Sequence, residues 1–132
     1  TVQKIWEDSI IYTYFTDEED QSFHSKEPQY VPEGYVEVSR VSTDDLLSIV
    51  YRNDNGDEIA WDQMIVTNGK GNVIDSEYDR QIYEPLEEGT LLISLYEDNS
   101  LMAYYEYERY IFVMSAKKIS VEEAVKIFNS MN

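Results

Sequence analysis

The sequence predicts an α+β fold: a twisted antiparallel β-sheet of about six to eight strands, meander-like in order, with a C-terminal helix packed on one face. Two strand-like runs flank an Asn-Gly pair between residues 46 and 67, which is the strongest local signal for a hairpin. Short apolar runs separated by turn residues follow as far as residue 114. One amphipathic stretch, residues 120–131, closes the chain. With 132 residues, we expect a single domain spanning residues 1–132.

Composition limits the classes of partner. The chain has 27 Asp plus Glu against 10 Lys plus Arg, a formal net charge of −17, which repels nucleic acid and anionic lipid. We interpret this as a solubilising surface, with recruitment of a cationic partner or Ca²⁺ as the alternative. The absence of cysteine excludes disulfides and thiol nucleophiles. No apolar run reaches the roughly 18 residues of a membrane span, so we expect membrane attachment only through an anchor outside this chain.

The first part, residues 1–26, is predicted to hold a strand at residues 10–15 and an exposed acidic loop at residues 17–20. The sheet and terminal helix occupy residues 27–132. Their first segment is rigid, because Pro28 and Pro32 restrict both their own φ and the residue before them. Tyr30 and Tyr35 bracket this segment, and we expect them to pack it onto the sheet; a recognition groove is the alternative reading.

The sheet is predicted from successive runs of alternating or apolar residues. A strand at residues 35–41 precedes the central hairpin, in which Trp61 lies near the middle. A Gly-rich loop at residues 68–72 separates it from a weaker strand within residues 73–83. Further strands at 90–96, 101–107 and 110–114 are joined by a turn at 97–100 and by a tight reversal at Glu108-Arg109. Short connections of this kind favour an antiparallel meander.

The terminal helix is predicted to begin at Ser120, because Ser120 and Glu123 have the spacing of a capping box. An apolar stripe follows at helical spacing, formed by Val121, Ala124, Val125, Phe128 and Met131. A helix of about three turns is marginal alone in water. We therefore expect the stripe to pack on the sheet, with a groove on a partner as the alternative.

Several short motifs occur in a recognisable order. A Pro-x-Tyr-x-Pro-x-Gly-Tyr segment at residues 28–35 is followed by a Tyr-x-Asn-x-x-Gly hairpin at residues 51–56, and then by Trp61 two residues before Gln63. A Tyr-rich hairpin and a terminal helix ending in Ser130-Met131 complete the set. From about residue 27 to residue 132 the chain resembles the domain of unknown function 4367, with Tyr104-Tyr105 standing where that family's pattern has a Trp.

The resemblance implies an extracytoplasmic domain of a bacterial envelope protein, in chains similar to anti-sigma factors. From it we expect a non-enzymatic binding or sensor domain whose partner is a protein. The first alternative is a module similar to lipoprotein carriers, which would hold a small apolar ligand between sheet and helix. A hydrolase acting through carboxylates is the third reading.

The candidate binding residues are aromatic. Tyr30, Tyr35, Trp61, Tyr104 and Tyr105 are a possible binding surface, although aromatic residues at alternating strand positions also serve as core or cross-strand packing. His24 is the lone histidine and lies in a polar segment without a Gly-x-Ser-x-Gly elbow elsewhere. We therefore predict no catalytic residues, no metal site and no cofactor.

Overall fold

The structure, a computed structural model, describes residues 22–66 and 78–132 together with two short N-terminal strands. The N-terminal strands are β1 (Val2–Gln3) and β2 (Ile10–Ile11), which pair antiparallel. The main sheet contains β3 (Val36–Ser42), β4 (Leu46–Arg52), β5 (Glu58–Ile65), β6 (Arg80–Pro85), β7 (Thr90–Leu95), β8 (Ser100–Tyr107) and β9 (Tyr110–Lys117), and helix α1 is Val121–Asn129. The predicted strand positions 12–15 and 73–77 and the predicted loops at 17–20 and 68–72 lie outside the described residues.

The predicted α+β fold is confirmed, with seven described strands in one antiparallel sheet and a C-terminal helix. The strand order is β3-β4-β5-β9-β8-β7-β6, so two meanders join through the pairing of β5 with β9. A single meander would instead have placed β6 beside β5. Strand β9 lies at the centre of the sheet, between β5 and β8, and its residues from Tyr110 to Met114 are buried on both faces.

Local turn chemistry confirms three of the predicted reversals. In the β4–β5 hairpin, Gly56 has a φ of 86°, and the Asn53 side chain accepts hydrogen bonds from the backbone N–H groups of Asn55 and Asp57. Asn99 between β7 and β8 and Glu108 between β8 and β9 also have positive φ, at 70° and 58°. These residues reverse the chain where the sequence predicts it to reverse.

One face of the sheet carries the core. Trp61 is fully buried there, with its ring centroid 4.9 Å from that of Phe128 on α1 and 5.8 Å from that of Phe112 on β9. Aliphatic side chains from neighbouring strands surround this aromatic group, among them Leu47, Ile49, Ile59, Leu91, Ile93, Leu101 and Met114. The space between the sheet and α1 is therefore filled by side chains.

Helix α1 begins as predicted: Ser120 is the N-cap, and its side chain accepts a hydrogen bond from the Glu123 backbone N–H. The buried residues of the helix are Ala124, Ile127 and Phe128. Val121 and Val125, which the predicted stripe included, are half-buried, and Ile127, which it omitted, is fully buried. The helix is thus rotated so that its Ile127 side meets the sheet.

Candidate binding surface

The two faces of the sheet differ in the elements that pack against them. Helix α1 lies on one face, which we call the inner face, together with an extended segment, residues 22–35, which we call the strap. The outer face is turned away from both. Because side chains alternate between faces along a strand, each strand contributes to both surfaces.

The strap is held to the inner face by the side chains of two neighbouring inward positions on β5. The Gln63 side chain is fully buried; its Nε2 donates to the His24 carbonyl at 3.1 Å, and its Oε1 accepts from the Lys26 N–H at 2.7 Å. Trp61 Nε1 donates to the Lys26 carbonyl at 3.2 Å. Gln63 thus supplies the donor and acceptor that a neighbouring strand would offer, which satisfies backbone groups of the strap.

The strap is also attached to the C-terminus of the helix. Ser130 Oγ accepts hydrogen bonds from the Gln29 and Tyr30 N–H groups, both at 3.0 Å, and donates to the Ile127 carbonyl at 2.7 Å. The Tyr30 hydroxyl donates to Glu123 Oε1 at 2.6 Å, an interaction that raises the pKa of Tyr30. Three of the motifs that carried the family resemblance therefore meet at one junction: the Pro-rich segment of the strap, Trp61 with Gln63 on β5, and Ser130 after α1.

The five aromatic residues proposed as a binding surface do not come together. Trp61 and Tyr105 have exposed fractions of 0% and 3%, so their assignment to a surface is wrong. Both point to the inner face, where Phe128 packs against them with ring centroids at 4.9 Å and 6.1 Å. Tyr30 belongs to the strap junction, and Tyr35 is half-buried beside it in sequence. Tyr104 alone of the five lies on the outer face.

The outer face carries an apolar row that crosses four strands. Val113, Tyr104, Leu92 and Tyr83 are successive partners in register on β9, β8, β7 and β6. Val113 is buried at the centre of the sheet, while Tyr83 is 69% exposed at the edge. Four more apolar side chains lie in the adjoining rows: Leu46, Met64, Ile111 and Met102. Ile111 and Val113 are buried among their neighbours, whereas the other members of this apolar face are partly or largely exposed. Exposed apolar area is typical of contact sites in soluble proteins.

A groove adjoins the apolar row at the end of the sheet where β5 begins. Its volume is about 650 Å³, and short side chains from the outer face line it, including Ala60, Ser100 and Ser115. Met102 and Lys117 also contribute to its walls. The outer face is therefore not flat, because the groove forms a depression beside the apolar row.

Asp62 interrupts the apolar row. It lies between Ser48 on β4 and Val113 on β9, and it is half-buried. Among the described residues, no hydrogen bond or ion pair engages its carboxylate. The cations of this face have other partners: Arg52 contacts Glu58 at 2.5 Å, and Lys117 lies 3.9 Å from Asp98. Sequence analysis did not identify Asp62 as a candidate site residue. A charged side chain at an outward strand position is expected to face solvent, so nothing in the alternation of β5 distinguished it.

Two cavities described on the helix side have charged side chains in their linings. One of about 170 Å³ lies near the end of α1, where Lys26, Glu87, Glu88 and Tyr107 contribute to its lining. Another, of about 480 Å³, lies beside the helix, where Glu84, Glu122, Glu123 and Lys126 line it together with two valines. An apolar-ligand carrier is expected to enclose an apolar cavity of several hundred cubic ångströms. The larger of these two cavities has the volume but not the lining of such a site, because four of its six lining residues are charged.

Local hydrogen bonds shift the pKa values of several titratable groups. Hydrogen bonds from Arg40 lower the pKa of Glu37, and hydrogen bonds from Ser100 lower that of Asp98. A hydrogen bond with the Glu88 carboxylate raises the pKa of Tyr107 to about 12. A general acid instead needs a carboxyl group whose pKa is raised toward neutrality.

Metal-ligand clusters and membrane-spanning helices are absent from the described residues. Between residues 22 and 66 and between 78 and 132, His, Cys, Asp and Glu side chains do not form a group of three or more that could hold a metal ion. The His24 backbone N–H donates to the Tyr110 hydroxyl at 2.7 Å, so this residue helps to fix the strap. Within the described residues, no helix has the length and apolar character needed to span a bilayer.

The exposed edge strand β3 is a second surface of interest. All seven of its residues are exposed, including Val36, Val38 and Val41 at 61%, 45% and 50%. The register with β4 shifts between Glu37 and Ser39, so Val38 forms a bulge that disrupts a regular edge. The bulge makes this edge a poorer template for an added strand than a flat one would be.

Comparison with known proteins gives a family assignment. A family model described as "Domain of unknown function (DUF4367)" matches residues 25–131. A search of curated proteins found no significant match.

Proposed function

Since this chain belongs to the DUF4367 family of domains of unknown function, we propose that it is a non-enzymatic binding or sensor domain on the outer side of a bacterial membrane. In this proposal the domain acts through contact with a protein, and the outer face of the sheet is the contact surface. The contact changes the packing of sheet and helix, and the strap passes this change toward the N-terminal part of the chain.

The apolar row of the outer face is the observation that supports this proposal most directly. Tyr83 leaves 69% of its surface exposed, and Leu92 and Tyr104 beside it are half-exposed. Exposed apolar area of this kind is costly in water and is retained where a partner covers it. Aromatic side chains near such a surface are the residues that contribute most often to binding energy at protein interfaces.

The strap gives the domain a connection between its surface and its N-terminal segment. Gln63 and Asp62 are consecutive on β5, so one strand presents the outer face and fixes the strap on the inner face. A displacement of β5 by a partner would therefore alter the hydrogen bonds to His24 and Lys26. The carrier alternative gains no support from the filled space between sheet and helix.

Location and contact can be tested with single cysteines, because the chain has none of its own. Tyr83→Cys places one thiol on the outer face, and Glu122→Cys places one on the exposed side of α1. In intact cells of the organism that encodes the chain, we expect a membrane-impermeant maleimide to label both variants if the domain is extracytoplasmic. Labelling only after the cells are broken would contradict the proposed location.

Contact is tested by replacing the same two positions with a photo-crosslinking amino acid. We expect a discrete adduct from position 83 that an excess of purified wild-type domain reduces. A Leu92→Asp domain, shown to be folded by circular dichroism, should not compete. Equal adducts from positions 83 and 122, or equal competition by Leu92→Asp, would contradict a role for the outer face.

A further inference from the structure

We propose that the partner of the outer face presents a Lys or Arg side chain within an apolar segment, and that this cation pairs with Asp62. The inference rests on the proposed function, since it assigns the chemistry of the partner that covers the same surface. It commits to a cationic protein segment rather than a second copy of this chain.

The position of Asp62 is the first argument. Its register partners are Ser48 and Val113, and the apolar row continues from Val113 through Tyr104 to Leu92. A partner that covers this row also covers the half-buried Asp62 carboxylate. A buried carboxylate without a partner is strongly unfavourable, so a complementary surface has to supply a positive charge or a hydrogen-bond donor.

The chain itself does not supply that charge from the described part of the outer face. Arg52 is engaged with Glu58, through contacts at 2.5 and 2.9 Å, and Lys117 lies 3.9 Å from Asp98. Glu106, an exposed acid in register with Ile111, adds a further negative charge to the same face. The local field therefore favours a cation at Asp62 over an anion or a neutral group.

The net charge of the chain argues against a second copy as the occupant. Each chain carries a formal charge of −17, so two copies repel one another at any distance within the screening length. The same charge attracts a cationic segment and raises its association rate. Charge complementarity thus points to a basic partner with apolar residues around its cation.

The test selects displayed random 12-residue peptides on the full 132-residue chain and measures the affinity of the enriched peptides. Nuclear magnetic resonance shifts of the Met64 and Met102 methyl groups report whether a peptide occupies the outer face. We expect peptides that shift these methyls to carry Lys or Arg among apolar residues. Asp62→Asn is expected to weaken their binding by about tenfold or more, since a close charge pair is lost.

Asp44→Asn is the matched control, because it removes the same charge from an exposed turn and should leave the affinity within about twofold. Asp62→Lys should select peptides with Asp or Glu instead. The amide spectrum of each variant establishes that it is folded before its binding is compared.

Any of the following outcomes would overturn the inference, and each shows whether the role of Asp62 or the proposed contact surface is wrong. Peptides that bind the outer face without a cation, or that ignore Asp62→Asn, contradict the role of Asp62 and leave the proposed contact surface standing. Binding elsewhere, or no enriched peptide at all, counts against both. A dimer in sedimentation that shifts the same methyls, or contacts between these methyls and residues 1–21, would identify a second copy or the chain itself as the occupant.

Discussion

Replacing Gln63 with Leu tests whether one buried amide holds the strap. Gln63 is fully buried and uses both ends of its amide, at 2.7 Å to the Lys26 N–H and at 3.1 Å to the His24 carbonyl. Leu has a similar size and keeps the contacts with the core, but it offers no donor or acceptor. The substitution therefore leaves two backbone groups of the strap without their partner.

The expected loss of stability can be estimated from the Lys26 N–H and the His24 carbonyl. A buried donor or acceptor left unpaired costs about 1–3 kcal/mol, so the pair sets an upper limit of about 6 kcal/mol. Lys26 is half-exposed and His24 exposed, which lets water replace part of the loss. We expect Gln63→Leu to reduce the free energy that holds the strap in place by about 2–4 kcal/mol. A tenfold change in the equilibrium constant for opening the strap corresponds to about 1.4 kcal/mol. The Lys26 amide should therefore exchange about 30 to 700 times faster in Gln63→Leu than in the wild type.

Native-state hydrogen exchange of the Lys26 amide is the direct assay, with urea unfolding as the measure of global stability. Gln29→Leu is the control, because the Gln29 side chain makes an exposed bond of 3.2 Å to the Glu27 carbonyl in the same strap. It should change stability by less than about 0.5 kcal/mol. If exchange at Lys26 is equal in wild type and Gln63→Leu, Gln63 does not hold the strap and the reasoning is refuted.

Three further substitutions test the core, the helix junction and the response to high pH. Phe128→Ala should lower the free energy of unfolding by about 3–5 kcal/mol, since Phe128 is 1% exposed and packs on Trp61; urea unfolding followed by Trp fluorescence measures this. Ser130→Ala should lower it by about 1–2 kcal/mol by removing the acceptor for the Gln29 and Tyr30 N–H groups, while Ser130→Thr, which keeps the hydroxyl, should lose less. Burial raises the pKa of Tyr51 to about 12, so the folded state holds this proton more tightly than the unfolded chain, in which it titrates near about 10. Stability from this group is complete below about pH 10 and falls as pH rises toward 12; unfolding at several pH values should show a weaker fall in Tyr51→Phe.

The family motifs acquire a structural meaning from the strap junction. Trp61 and Gln63 are two residues apart because both must face the inner side of β5 to reach the strap. Ser130 lies just after α1, where its hydroxyl reaches the Gln29 and Tyr30 N–H groups. These residues hold the architecture together, so the matched motifs say more about the fold than about the contact surface.

The candidate surface was predicted only in part, and the reason lies in two adjacent tyrosines. Tyr104 and Tyr105 are equivalent in sequence, but Tyr105 meets Phe128 of the helix and Tyr104 joins the row of Val113 and Leu92. Alternation establishes that neighbouring strand residues face opposite ways. It does not say which face a helix will cover.

What the sequence determined by itself is the local structure. Gly56 permits the positive φ of the hairpin turn, and Ser120 caps the first turn of the helix, because these effects depend on residues a few positions apart. The tertiary structure alone decided that β9 pairs with β5, that Gln63 binds the strap, and that Asp62 interrupts an apolar face. These outcomes join residues far apart in the chain, and the free energy of burying one shared core selects among the pairings that local chemistry allows.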